Sequence, residues 1–364
     1  MRQTIKLAVS LSLLLGVSSA FATEGFSPIA YGAKARGMGG VSIATTQGAE
    51  NVFGNPALMA YEKSNEASLG LTYLSSDIAF EFDGGSLNAD SDATYIPYLA
   101  VNHKISDSFG WGAGLSSMSS LNATVDEDGD STTYSKVAKT RLTVPFNYTI
   151  AGFSIAVAPI FEQLNITLFD EKTDATNGFG FDLGLAYKFS DIGLIIAADY
   201  KSKITHDQEF NDEGSTETIG INSPSEMGVG ISWNIFNGAN TVGLDFKQIK
   251  NSEIFVIPEE SNMNAVDQNV IAIGYAYQED SFTVRAGYRY LTPELFNEKE
   301  SEMLGAIFPY NTSSHFTLGG SYNFNQDISM DIALIYETSE NDFTDDFTVS
   351  NDQTSATIGL NYLF

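Results

Sequence analysis

Arg141, Arg285 and Arg289 are the side chains best placed to do chemistry in a chain that is short of cations. The sequence holds 18 Lys and Arg against 46 Asp and Glu, a formal charge of −28. Arg285 and Arg289 fall on one face of an alternating segment, with Phe282, Val284, Ala286, Tyr288 and Tyr290 on the other. Arg141 passes the same test. A guanidinium presents a planar fork of donors that fits a carboxylate, so these three are candidate holders of an anionic headgroup. The competing reading is ion pairing with acids such as Asp182, Asp199, Asp245 or Asp331. Nothing else suggests catalysis. His103, His206 and His315 lack metal-ligand spacing. Asp126-Glu127-Asp128-Gly129-Asp130 has the acid density of a calcium loop without its spacing or distal Glu. A hydrolase would need His206 or His315 beside an acid and a serine. His206-Asp207 and Ser314-His315 are sequence neighbours, which on a strand sends them to opposite faces. No cysteine is present, so thiol and disulfide chemistry are excluded. No catalytic residue, metal or cofactor is expected. The acidic balance argues against a nucleic-acid partner.

The elements that must position these residues are strands. Fourteen segments alternate apolar and polar residues, with cores near 65–74, 93–104, 108–119, 136–150, 152–168, 178–190, 192–206, 218–236, 239–254, 267–278, 281–291, 314–325, 327–338 and 353–364. A period of two repeated this often predicts an all-β fold. Connections alternate between short turns (Ser106-Asp107, Ala151-Gly152, Ser190-Asp191, Asn237-Gly238, Glu279-Asp280, Asn325-Gln326) and long acidic loops. That asymmetry, and the aromatic terminus Tyr362-Leu363-Phe364, predict a closed antiparallel transmembrane β-barrel of the outer membrane. The competing fold is a soluble β-sandwich or propeller. Trp111, Tyr187, Trp233, Tyr288, Tyr290 and Tyr362 are candidates for aromatic girdles. An arginine facing lipid at mid-depth would cost about 2–4 kcal/mol, so all three strand arginines are expected to face the lumen. Residues 1–22 read as a secretory signal: Arg2 and Lys6, an apolar stretch from Leu7 to Val17, then Ala20-Phe21-Ala22.

Residues 23–64 do not alternate. Their apolar content (Phe26, Ile29, Tyr31, Met38, Val41, Val52, Phe53, Leu58) favours burial as a plug ahead of the barrel at 65–364. This segment also carries a family resemblance. Gly25-Phe26, Gly37-Met38-Gly39-Gly40-Val41 and Asn55-Pro56-Ala57-Leu58 resemble the N-terminal hatch of FadL-type outer-membrane transporters. Phe109-Gly110-Trp111-Gly112-Ala113, Gly178-Phe179-Gly180-Phe181, Phe282 to Tyr288 with Thr292-Pro293, and Asn361 to Phe364 resemble that family's third, sixth, eleventh and closing strands.

The resemblance implies a fourteen-stranded barrel, not an enzyme, that passively takes up long-chain fatty acids or neutral and aromatic hydrocarbons. It implies a kink in the third strand through which ligand leaves sideways, and a monomer in contact with outer-membrane lipid and lipopolysaccharide. Asn55, Pro56 and Ala57 match the hatch motif. Gly110, Gly112 and Gly114 are the kink candidates, since glycine tolerates the dihedrals a break requires; alternatively they are small lumen residues that let the hatch pack closely. The loop after the eleventh strand, with Leu295, Phe296, Leu304, Ile307 and Phe308, is a candidate outer capture groove. The fifth strand and the approach to the tenth lack the basic residues of the fatty-acid members, which leaves a neutral ligand open. A plugged barrel serving protein secretion or outer-membrane assembly is the alternative function.

Overall fold

The computed structural model describes residues 23–24, 27–82, 85–89, 94–119, 123–127, 130–168, 171–212, 215–235, 238–256, 265–292, 314–344 and 347–364. The expected signal at 1–22 and Gly25-Phe26 lie outside these residues. Fourteen antiparallel wall strands close on themselves. They are β1 (Glu66–Phe82), β2 (Thr94–Lys104), β3 (Phe109–Ser119), β4 (Asp130–Thr143, resuming as Phe146–Ile150) and β5 (Phe153–Leu168). Next come β6 (Thr176–Phe189), β7 (Leu194–Lys201), β8 (Glu226–Ile235), β9 (Asn240–Ile249) and β10 (Gln268–Glu279). β11 (Phe282–Thr292), β12 (Ser314–Asn323), β13 (Ile328–Thr344) and β14 (Phe347–Leu363) complete the ring. β14 pairs with β1 from Phe347↔Phe82 to Leu363↔Glu66, so the circuit has no free edge there.

The alternation sets the two faces. On β8, Met227, Val229, Ile231 and Trp233 are exposed, while Gly228, Gly230 and Ser232 point inward and are buried. β1 repeats the pattern with Leu69, Leu71 and Tyr73 outside and Ser68 and Thr72 inside. Such an outer surface is stable only against hydrocarbon. Tyr322 and Phe324, and Tyr362 and Phe364, form aromatic pairs at the short-turn end. Ala151-Gly152 is a two-residue turn, with φ of 49° and 82° at its residues. Both left-handed dihedrals match the twist of a two-residue hairpin, and glycine removes the strain at the second.

Two expectations on strand extent are corrected. The segment near 136–150 is not continuous. It pauses at Val144-Pro145 and resumes in the same register, Thr143↔Gly114 before the pause and Phe146↔Trp111 after it. The segment near 218–236 is not one strand either. Only Glu226–Ile235 joins the wall. Ser215–Ile221 pairs instead with Asp207–Asp212 and Phe255–Val256 in a separate three-stranded sheet. Inward-facing Gly178 and Gly180 leave a trough on β6. Ile204 and His206 fill it, which draws the chain off the ladder and over the lumen.

Candidate functional site

The lumen is occupied by the chain's own N-terminal segment. Residues 27–64 include a short helix α1 (Ala33–Arg36) and two 3-10 turns, Gly48–Val52 and Pro56–Tyr61. Three of the zones that tie this plug to the wall are built where wall glycines leave room for it. In the first, Gly274 and Gly287 face each other across β10 and β11, and the backbone of Met38 and Gly39 lies directly on them. Gly39 and Gly40 have φ of 71° and 79°, so only glycine adopts this course freely. The Gly39 N–H donates to Thr317 Oγ1 at 2.8 Å, and the Ser42 and Ile43 N–H groups donate to Asp245 Oδ2 at 2.7 and 2.9 Å.

The second zone is Asn55-Pro56-Ala57. Asn55 Oδ1 accepts from Ala57 N at 3.0 Å and caps the Pro56–Tyr61 turn, with Pro56 at its first position. Its Nδ2 faces the carbonyls of Ile43 and Ala198 at 2.9 and 3.1 Å. The Ala57 carbonyl accepts from Ser154 Oγ at 2.8 Å. Gly184 on β6 makes room for both residues. The motif thus ties the turn to itself, to the plug and to the wall.

The third zone is apolar. Val52, Phe53 and Met59 pack with Tyr98 and Ala100 of β2 against Gly112 and Gly114 of β3. The Tyr31 and Phe53 rings meet at a tilt of 41° with centroids 4.9 Å apart. β3 runs through Gly110, Gly112 and Gly114 without a break in its pairing to β2. The interruption lies on the neighbouring strand at Val144-Pro145. Gly112 N donates to Pro145 O at 2.9 Å, and Val144 N to Pro159 O at 3.1 Å. Proline has no N–H to return, so each of these two pairs keeps one ladder bond of two.

Above the plug runs a belt of charge. Arg141 donates from Nε and Nη2 to Glu162 Oε2 at 2.8 and 2.5 Å. Lys201 lies 3.3 Å from Asp199 and 3.7 Å from Asp182, and Lys247 is 3.0 Å from Glu226. Ser27 of the plug donates to Glu226 at 2.7 Å. Between belt and plug is a cavity of about 30 Å³ lined by Ile29, Tyr31, Phe53, Arg141, Lys201 and Lys247 among others. It has room for water but not for a ligand. At the short-turn end an open vestibule of about 550 Å³ borders Lys34, Arg285 and Asp331. Inside the plug, Glu50 is held by Tyr98 Oη at 2.7 Å, and burial pushes its carboxyl up to about 7. Burial also lowers the buried Arg36 to about 10.

All three strand arginines face inward, but the structure does not gather them. Arg141 is held by Glu162, an acid absent from the expected partners. Arg285 donates to Ser321 at 2.5 Å, and Ser321 in turn donates to Asp331. Arg289 is buried beneath Gly40. The capture-groove candidates Leu295, Phe296, Leu304, Ile307 and Phe308 lie outside the described residues. Glu162 was not singled out in the sequence. It is the hub of a buried cluster, accepting also from Ser223 Oγ at 2.5 Å and bonded to His206 Nε2 at 3.1 Å. The one signal for it is parity: Glu162 is the only charged residue of the Phe153–Leu168 strand and falls on its inward face. In this cluster Ser223 gives its proton to the carboxylate and not to His206, which is not the nucleophile–base pairing of a hydrolase.

The Gram-negative porin family matches residues 75–342 of the chain. The toluene transporter TodX of Pseudomonas putida superposes with a TM-score of 0.71 at 22% identity, over 95% of this chain and 100% of TodX. A FadL homologue of Pseudomonas aeruginosa superposes with a TM-score of 0.72 at 13% identity, over 94% and 100% of the two chains. These likenesses establish the fold. An uncharacterised protein of Chlorobium limicola, from the 5′ region of its phosphoenolpyruvate carboxykinase gene, is 38% identical over 104 residues, 28% of this chain. The match spans 50% of that relative's length.

Proposed function

The chain belongs to the Gram-negative porin family of the outer membrane, and on that premise we propose that it passively transports hydrophobic compounds and releases them sideways through its wall between β3 and β4. The observation that carries this reading is the filled bore. Residues 27–64 leave a cavity of only about 30 Å³ between plug and charged belt, so a water-filled route is a poor path for cargo. An apolar ligand gains roughly 0.8 kcal/mol for each CH₂ removed from water, and a watery bore would forfeit that gain. The apolar zone of Val52, Phe53 and Met59 sits directly behind the place where Pro145 and Pro159 thin the ladder. A ligand there has apolar plug on one side, lipid on the other, and a Gly112↔Pro145 pair that keeps only one ladder bond of two. The toluene transporter that shares the fold is consistent with apolar cargo.

The chain has no cysteine, which permits a clean test. Trp111 and Phe146 are opposed across the seam, next to the bonded pair Gly112↔Pro145, and non-bonded pairs come close enough for a disulfide. Trp111→Cys with Phe146→Cys should block uptake of a radiolabelled apolar compound when oxidised and restore it on reduction. Equal uptake in both states would sink the lateral route. No uptake by the unmodified protein would sink transport itself.

A further inference from the structure

We infer that this lumen selects uncharged hydrophobic compounds against carboxylates, and that Glu162 sets the selection by holding Arg141. The inference rests on the transport reading and narrows its substrate class. Three cations line the cavity above the plug: Arg141, Lys201 and Lys247. Each already has a carboxylate partner: Glu162 at 2.5 Å, Asp199 at 3.3 Å and Glu226 at 3.0 Å. Asp182 adds a further acid 3.7 Å from Lys201. Beside Lys201, both carboxylate oxygens of Asp182 and Oδ1 of Asp199 have no hydrogen-bond partner.

An arriving carboxylate would lose its hydration and reach none of these three cations without first displacing a resident acid. It would also meet the field of Asp182 and Asp199. A buried ion that is not paired is strongly disfavoured. An uncharged ligand that parts the plug from the belt bears neither cost and meets Ile29, Tyr31 and Phe53. Glu162 is the acid whose hold is firmest. Two bonds from Arg141 converge on one oxygen, while Ser223 and His206 engage the other. Glu162 is therefore a positioning residue: it acts on the ligand through Arg141.

A matched pair of probes, dodecanol and dodecanoate, tests this at neutral pH, where the acid is ionised. Initial uptake of each labelled compound is measured in cells making the barrel and corrected with cells that lack it. The unmodified protein should favour dodecanol by about tenfold or more, the scale of an uncompensated charge contact. Glu162→Gln frees Arg141 and should collapse that ratio, while Glu162→Asp, which keeps the charge, should preserve it. Asp199→Asn loosens Lys201 without touching the Glu162 cluster and should move the ratio in the same direction as Glu162→Gln. Equal uptake of both probes by the unmodified protein, or an unchanged ratio in both neutralised variants, overturns the inference and leaves transport standing. Uptake of neither probe overturns the transport reading on which it rests.

Discussion

Gly287→Val should unseat the plug. Gly287 lies on the inward face of β11, and a Cβ built there falls 2.8 Å from Gly39 Cα and closer still to Met38 C and Gly39 N. Carbon atoms need roughly 3.5–4.0 Å, so the Met38-Gly39 backbone must retreat by about 1 Å or more before the two valine methyls are placed. The obstacle is backbone, which has no rotamer to change. Overfilling a packed site costs about 1–3 kcal/mol. Retreat also breaks the 2.8 Å bond from Gly39 N–H to Thr317 Oγ1, and a buried unpaired N–H adds about 1–3 kcal/mol. The local penalty is then about 2–6 kcal/mol, enough to populate states in which residues near Met38–Ile43 leave the wall. Small-ion conductance in planar bilayers should rise above that of the unmodified barrel, and amide exchange at Gly39, Ser42 and Ile43 should accelerate. Ala286→Val, one residue away on the exposed face, should change neither. Unaltered conductance together with unaltered exchange would refute the claim that bare wall glycines seat the plug.

Other outcomes follow from the same contacts. Asn55→Asp replaces the amide that faces the Ile43 and Ala198 carbonyls with an anion; orphaned buried carbonyls cost about 1–3 kcal/mol each, so protease sensitivity of residues 27–64 should increase. Pro145→Ala supplies the donor missing from the Gly112↔Pro145 pair and should slow uptake of apolar compounds; faster uptake would contradict the seam. Glu50→Gln should have a pH-dependent effect. Burial raises the folded carboxyl to about 7 from 4.5. Below the unfolded value both states hold the proton and Glu50 costs nothing. As pH rises from the unfolded value to the folded one, a penalty of about 3 kcal/mol builds, and above the folded value it stays constant. The variant should therefore protect plug amides more than the parent at about pH 8 and equally at about pH 4; a benefit confined to acid would show that the sign is wrong. Tyr98, Ser68, Lys34, Glu66 and Asp331 surround this carboxyl and are unchanged in the comparison.

The sequence by itself determined the barrel, its strand number and the facing of its arginines. Those properties are periodic: a strand that must meet lipid on one side writes its parity into every second residue, as Met227 to Ile235 do. It also marked Asn55-Pro56-Ala57, through the resemblance to a family hatch, while the Asn55 cap on Ala57 emerged from the structure. Tertiary structure alone decided what each inward residue meets. Glu162 finds Arg141 across one strand pair and His206 and Ser223 through a segment that leaves the ladder, and no spacing in the chain encodes that departure. The same holds for Gly112 and Gly114, whose meaning depends on Val52, Phe53 and Met59 arriving behind them, and for the pause in pairing at Pro145. Side-chain parity propagates along a strand, whereas contacts across a lumen are fixed only when the ring closes around its own N-terminal segment.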